Sequence, residues 1–459
     1  GGSAEPAAAG TIYTDVSGNR TLVIDNTPTT ALTSVGVIHV DSPTNMSELA
    51  LDTLRVVQSV VVLECELRVA SFYASLSTVS SAYDLNVTSM VSSSVTWTVD
   101  AAVLATNLSL ASSTWTSSSS VDVRSVLSLA STTVTSAIGP ITSTLLSVDS
   151  ASTLQSTDQS TGWLRVIAQH FDLSGAVKVG SVDIVVSKLV VTSSGSVLAA
   201  EALNVSAATL DLQSTLTCTN AFCCVRMSLD NALNASSSAK VKASEISITA
   251  ASVLLQDTSS LDTTARGHAS GIGPGAGTAG PSSGGGGGAG HGGGGGKGQS
   301  NSAATGSVYG SLMYPVLPGS GGGDGSYGGH TRPGGGGGGV VRLTLSDSFE
   351  LASGATVVAN GAAGIAGSTE YTGATIPASG GGGGSGGSVL ISASRVLGSG
   401  KIEANGGAGG ARGQNTYSNA YGEYGGGGGG RRIAVHVSSS ALSPSVDLQA
   451  IGGGSGGGS

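Results

Sequence analysis

The side chains with the most chemistry in this 459-residue sequence are four cysteines, six histidines and 28 acidic residues. Cys218 stands close to Cys223 and Cys224, with Cys218 at the end of one strand-like segment and the pair just before the next. That spacing makes the three candidates for a local disulfide, which an oxidising compartment would preserve. Cys65 is far away in sequence; the repeat described below places it on the order of 34 Å from the others at the spacing of β-strands. A disulfide needs Cα atoms within about 7 Å. Cys65 is therefore read as a buried thiol or an intermolecular partner.

The histidines are His39, His170, His268, His291, His330 and His436. None has metal-ligand spacing to another histidine or to a cysteine, and all are expected at the surface. Asp172, Asp183, Asp211 and Asp230 fall on successive repeats, but at different strand positions and with no matching Arg or Lys column. Paired-carboxylate catalysis needs such a cluster. The GGGGGKG at 292–298 misses the phosphate loop because His291 occupies the first glycine position and Gly298 the Ser/Thr position. GGSGG at 383–387 and 453–457 meets G-x-S-x-G without a strand-turn-helix setting. The calcium nonapeptide is absent, with Asp324 one residue out of phase. No catalytic, cofactor-binding or metal-binding residue is assigned, and the chain is not read as an enzyme.

Six N-glycosylation sequons occur, at Asn19, Asn45, Asn86, Asn107, Asn204 and Asn234. Residues 1–266 hold nine asparagines in a Ser/Thr-rich background, where chance gives roughly three sequons. Asn86, Asn107 and Asn204 sit between apolar residues and so face outward. N-glycans on a secreted protein are expected.

These residues are carried by an unusual frame. Glycine numbers 75, of which 65 lie in residues 267–459. The runs have no three-residue phase, so collagen is excluded. Charged residues are 10% and the net charge is −9, which gives no basic face for nucleic acid. No apolar run of 18 residues is present to span a membrane. Val, Ile and Thr favour strands, and there is little Lys, Glu or Arg for exposed helix faces.

Segments such as LSLASSTW (108–115), LSLASTTV (127–134), LVVTSSGSV (189–197) and VLLQDTSSL (253–261) share one template of alternating apolar positions around a Ser/Thr/Gly turn. Their last positions form a column: Trp97, Trp115, Val134, Leu154, Val177, Val197, Leu216, Val241 and Leu261. A second column runs Leu164, Val182, Leu203, Val225 and Ile246. Units of about 20 residues with period-2 alternation bury their apolar face only when stacked. The fold predicted is an all-β parallel β-helix, right-handed by the crossover rule. A T-x-T ladder at Thr96/Thr98, Thr114/Thr116 and Thr133/Thr135 reads as ordinary cross-strand pairing.

The same template recurs at 340–361, 389–406 and 432–452, extending the end column with Val357, Ile402 and Val446. Residues 1–266 thus read as coils, and 267–459 as the same solenoid interrupted by glycine-rich inserts. Ordering polyglycine carries a large entropy cost. Extended runs bundled side by side in a polyglycine-II-like manner could offset it. Candidate members are 284–288, 292–296, 334–339, 380–384 and 425–430. Seven of the ten tyrosines, Tyr309, Tyr314, Tyr327, Tyr371, Tyr417, Tyr421 and Tyr424, fall in this half as a contact surface or a cap on the glycine layer. The chain opens on Gly-Gly-Ser and closes on GGGSGGGS, and reads as part of a longer or processed protein.

The alternation of short coils with glycine inserts, as in GGGGSGGSVLISASRVLGSGKIEANGGAGG (381–410), resembles large secreted glycine-rich β-helix repeat proteins of protists and algae. Those are of extracellular filament or adhesin type, and the chain looks most like a subunit of a flagellar hair (mastigoneme). The resemblance implies a mechanical subunit at the cell or flagellar surface, partnered by itself or by other extracellular subunits, with no cofactor. An adhesin or glycan-binding stalk and a polysaccharide-active β-helix enzyme are the alternatives.

Overall fold

The structure, a computed structural model, describes residues 10–16, 19–25, 37–40, 48–136, 139–281, 284–299, 303–327, 330–367, 378–414, 421–430 and 432–457. It is an all-β solenoid of parallel stacked strands, with no α-helix among the described residues. Two compact units are present: Gly1–Ala200 with Asn204–Leu210, and Glu201–Leu203 with Asp211–Ser459.

In the first unit, apolar residues recur at one position in every coil because each stands in register on its counterpart. Leu67, Leu85, Val103, Val121, Ile141, Val166 and Ile184 make one ladder. Leu54, Phe72, Met90, Leu108, Leu127, Leu146, Phe171 and Leu189 make a second. Val61, Val79, Trp97, Trp115, Val134, Leu154 and Val177 make the third. All of these are buried. Each such side chain contributes roughly 1.5–3 kcal/mol on burial, and a ladder shares that burial between neighbours.

Two corners join the ladders. At one, Gln58, Leu76, Ser94, Ser112 and Ser131 take left-handed backbone, with φ of 47 to 57°. The residue after four of these turns a hydroxyl inward, so that Ser59, Ser77, Ser113 and Thr132 are all buried, while the buried Val95 follows Ser94. The hydroxyl of Ser113 accepts from the Val95 N–H at 3.2 Å and donates to the Ala111 carbonyl at 2.8 Å. The Ser77 hydroxyl repeats this with Ser59 N–H and Ser75 carbonyl. At the other corner Ser81, Ser117, Ser136 and Ser156 donate to Tyr83, Ser119, Gly139 and Asp158 carbonyls. These contacts satisfy backbone groups that the turns would otherwise strand in the interior.

The second unit repeats the three ladders. One holds Val225, Ile246, Val341, Val389 and Ile433; a second holds Leu233, Val253, Phe349, Val396 and Leu442. The third holds Leu216, Val241, Leu261, Val357, Ile402 and Leu448. Val446 was expected in this last column, and the structure places Leu448 there instead. Both are apolar and two apart, so alternation alone does not choose between them. A turn through Ser443, where the Val446 N–H donates to the Ser443 carbonyl, delays the strand to Asp447–Gln449.

Candidate functional site

The glycine runs leave the solenoid between coils and lie against one another within the second unit. Residues 380–387, Gly-Gly-Gly-Gly-Gly-Ser-Gly-Gly, sit at the middle of this layer, and almost all are fully buried. Their N–H groups leave in three directions with a repeat of three residues. Gly380, Gly383 and Gly386 donate to the carbonyls of Glu423, Gly426 and Gly429. Gly381, Gly384 and Gly387 donate to Ile365, Ala362 and Ala359, on a run of opposite direction. Gly382 and Ser385 donate to Gly323 and Ser320.

Their carbonyls are taken just as regularly, and by three other runs. Gly380 and Gly383 accept from Gly286 and Ala289. Gly381 and Gly384 accept from Gly410 and Gly407, and Gly382 and Ser385 from Gly335 and Gly338. This run therefore has six hydrogen-bonded neighbours, which is the arrangement of threefold polyglycine helices packed side by side. At most positions of the run only glycine permits it; Ser385 is the exception. A Cβ built on Gly382 would lie 2.0 Å from the Gly287 carbonyl oxygen, and one on Gly383 2.0 Å from that of Gly407. Saturated backbone hydrogen bonds, each worth about 1 kcal/mol net, offset the ordering cost of glycine.

A small polar cluster is set into this layer. Ser320 and Ser385 are fully buried, and the Ser320 N–H donates to the Ser385 hydroxyl at 2.8 Å. The Ser320 hydroxyl donates to the Tyr309 hydroxyl at 2.8 Å, which donates to the Pro318 carbonyl at 2.6 Å. His291 stacks on Tyr309 with ring centroids 4.4 Å apart. Its Nδ1 lies 2.9 Å from the Gly386 carbonyl, and since a carbonyl only accepts, Nδ1 carries the proton. His291 was expected at the surface and is fully buried. Its imidazole braces a glycine carbonyl that polyglycine lacks the side chains to reach. Burial pushes the Tyr309 phenol above its ordinary 10.0, with the Ser320 and Ser385 hydroxyls pulling partly back. Ser320, Ser385 and His291 in this cluster are buried, and Tyr309 is half-buried at its edge.

The cysteines fall as follows. Cys218 and Cys223 are joined by a disulfide, with Cα atoms 5.4 Å apart. Cys224 remains a thiol, its Sγ 3.6 Å from Glu245 Oε2. Burial and the neighbouring Glu245 charge raise its pKa. Cys65 is buried. Among the sequons, Asn86, Asn107 and Asn234 are exposed and Asn204 is half-buried. Asn234 Nδ2 donates to Asp211 Oδ1 at 2.9 Å. Asn19 begins strand Asn19–Asp25, and Asn45 lies outside the described residues, as do Tyr371 and Tyr417.

The four aspartates do not converge. Asp183 pairs with Arg165 at 3.3 Å, Asp172 with His170 at 2.9 Å and Asp211 with Asn234. Among the described residues no group of His, Cys, Asp and Glu has the arrangement to hold a metal ion, and no helix is long and apolar enough to cross a membrane. A feature missed in sequence is a polar groove on the first unit. It is lined by Arg20, Asp52, Arg68, Asn86, Thr88 and Arg124, where coil-to-coil register stacks side chains from distant positions. The signal was available: Arg68 and Asn86 lie one repeat apart.

No protein-family model and no curated protein matches the sequence. Among solved structures, the chain is similar to the crystal structure of the HMW1 secretion domain from Haemophilus influenzae. That likeness has a TM-score of 0.34 and 10% identity, over 96% of this chain and 98% of that chain.

Proposed function

We propose that this chain is a structural subunit of an extracellular filament or surface appendage of the flagellar-hair type, with a mechanical role. The observation that carries the reading is the run 380–387, whose backbone is hydrogen-bonded to six neighbours along its length. A layer held by saturated backbone bonds resists shear without relying on side chains, as does a solenoid whose coils pair strand on strand. Secretion, N-glycosylation and assembly with copies of itself belong to the same proposal. Electron microscopy of the native material tests it: regular filaments are expected, and dispersed single particles would count against it.

A second reading, as a glycan-binding stalk, is favoured by the polar groove. Arg20, Arg68 and Arg124 there outnumber the single Asp52, a composition suited to an anionic sugar. Retention on immobilised acidic polysaccharide, lost in Arg68→Ala, is its test.

A further inference from the structure

The polar groove of the first unit holds a glycosylation sequon at its middle. The groove has a volume of about 530 Å³ and crosses six coils, from Arg20 to Arg124. At the spacing of β-strands that is roughly 24 Å. Alternation sets its lining. Val69, Val87 and Ala105 stand in register and are buried, so the residues on either side of each point outward. Asn86 and Thr88 flank Val87 in this way, and both polar side chains of the sequon line the groove.

Charge and hydrogen bonding set this place apart. The chain has a net charge of −9, yet Arg20, Arg68 and Arg124 meet only Asp52 along the groove. The Asp52 carboxylate accepts from the Arg20 backbone N–H at 2.7 Å. Among the described residues neither the Arg68 nor the Arg124 guanidinium has a carboxylate partner, and the Asn86 side-chain amide makes no hydrogen bond. The Asn234 amide, by contrast, is held by Asp211. Arg68 stands opposite Asn86 on the preceding coil, Leu104 opposite it on the following one, and Arg124 lies on the coil after that. An anionic chain that bridges Arg68 and Arg124 must therefore cross the coil of Asn86 and Thr88.

We propose that an N-glycan on Asn86 fills this groove and excludes anionic polysaccharide from it, so that only chains unmodified at Asn86 bind such a polymer. Attachment forms a C–N bond from the anomeric carbon of the sugar to Asn86 Nδ2. The bond from that carbon to the diphosphate of a lipid-linked donor breaks, the diphosphate leaves with its electron pair, and the amide gives up one proton. The first sugar then stands between Arg68 and Leu104, on the route between the arginines. Its N-acetylglucosamine core is bulky and neutral and offers the guanidinium groups no carboxylate or sulfate. The proposal rests on the glycan-binding reading of the groove and names what regulates it.

The test compares the full chain, secreted from a cell that N-glycosylates, with Asn86→Gln, Asn234→Gln and the double variant Asn86→Gln/Arg68→Ala. The probes are immobilised heparin, which presents sulfate, and immobilised polygalacturonate, which presents carboxylate. The mass of the proteolytic peptide containing Asn86 should show a glycan on the parent chain. The parent and Asn234→Gln should pass both probes unretained. Asn86→Gln should bind one of them about tenfold or more tightly than the parent does, and the double variant should lose that gain. All four proteins should unfold at one temperature. A glycosylated parent retained as strongly as Asn86→Gln overturns the proposal, and so does a parent with no glycan at Asn86. Retention of neither the parent nor Asn86→Gln contradicts the glycan-binding reading itself, and the proposal with it.

Discussion

Trp97 and Trp115 show what single residues do in this fold. They stand opposite each other on adjacent coils, with ring centroids 5.3 Å apart, and Phe72 meets Trp97 edge-on at 5.2 Å. Neither indole N–H has a hydrogen-bond partner among the described residues, so the pair acts through area and stacking alone. Trp97→Ala is expected to cost about 3–5 kcal/mol. Trp97→Phe removes an unsatisfied donor along with some volume and should cost no more than about half of that. Denaturant unfolding measures both. Tyr309 makes a pH prediction. Its folded-state pKa is raised by burial, so its contribution is fully present below the ordinary value of 10.0 and is lost as pH rises through the higher folded value. Alkaline unfolding of the glycine layer should move to higher pH in Tyr309→Phe, followed by hydrogen exchange; an unchanged midpoint would contradict this role. The inward apolar positions were legible because side chains alternate in strands. The buried hydroxyls of Ser77, Ser113 and Thr132 were not, since alternation assigns Ser and Thr outward and says nothing of a corner that must satisfy its own backbone. His291 was misread for a similar reason: a histidine amid glycines reads as loop surface until the runs are seen to pack.

At the scale of elements, the coil and the glycine run follow different rules. A coil tolerates exchange among apolar residues of similar volume, because its hydrogen bonds lie along the strands and its side chains interdigitate. A glycine run tolerates no Cβ where a neighbour's carbonyl lies against it. Gly382→Ala should therefore destabilise the second unit severely, and Gly293→Ala should fall within about 0.5 kcal/mol of the parent. Thermal unfolding of the two variants decides; equal effects would mean the runs are not packed as described. The column through Leu261, Val357 and Ile402 was legible from spacing across inserts of very different length, because parallel stacking fixes register at each return. Its next member was displaced from Val446 to Leu448 by a turn that alternation does not register. The threefold hydrogen-bond pattern was not legible at all: homopolymeric sequence carries no phase, and phase enters only through the strand that each run precedes.

At the scale of the whole molecule, both units use the same ladders, and glycine decorates only the second. The glycine runs begin only after residue 266, whereas residues 1–266 hold ten glycines and all six sequons. Asn86 and Asn107 are exposed on strands Leu85–Ser93 and Val103–Ala111. Intact mass of the native protein should fall on enzymatic deglycosylation, and an unchanged mass would remove glycans from the account. The mechanical reading depends above all on the glycine layer being ordered. Amide hydrogen exchange resolved along 380–387 tests this most directly. Strong protection at every residue of the run is predicted. Immediate exchange throughout 380–387 would contradict it.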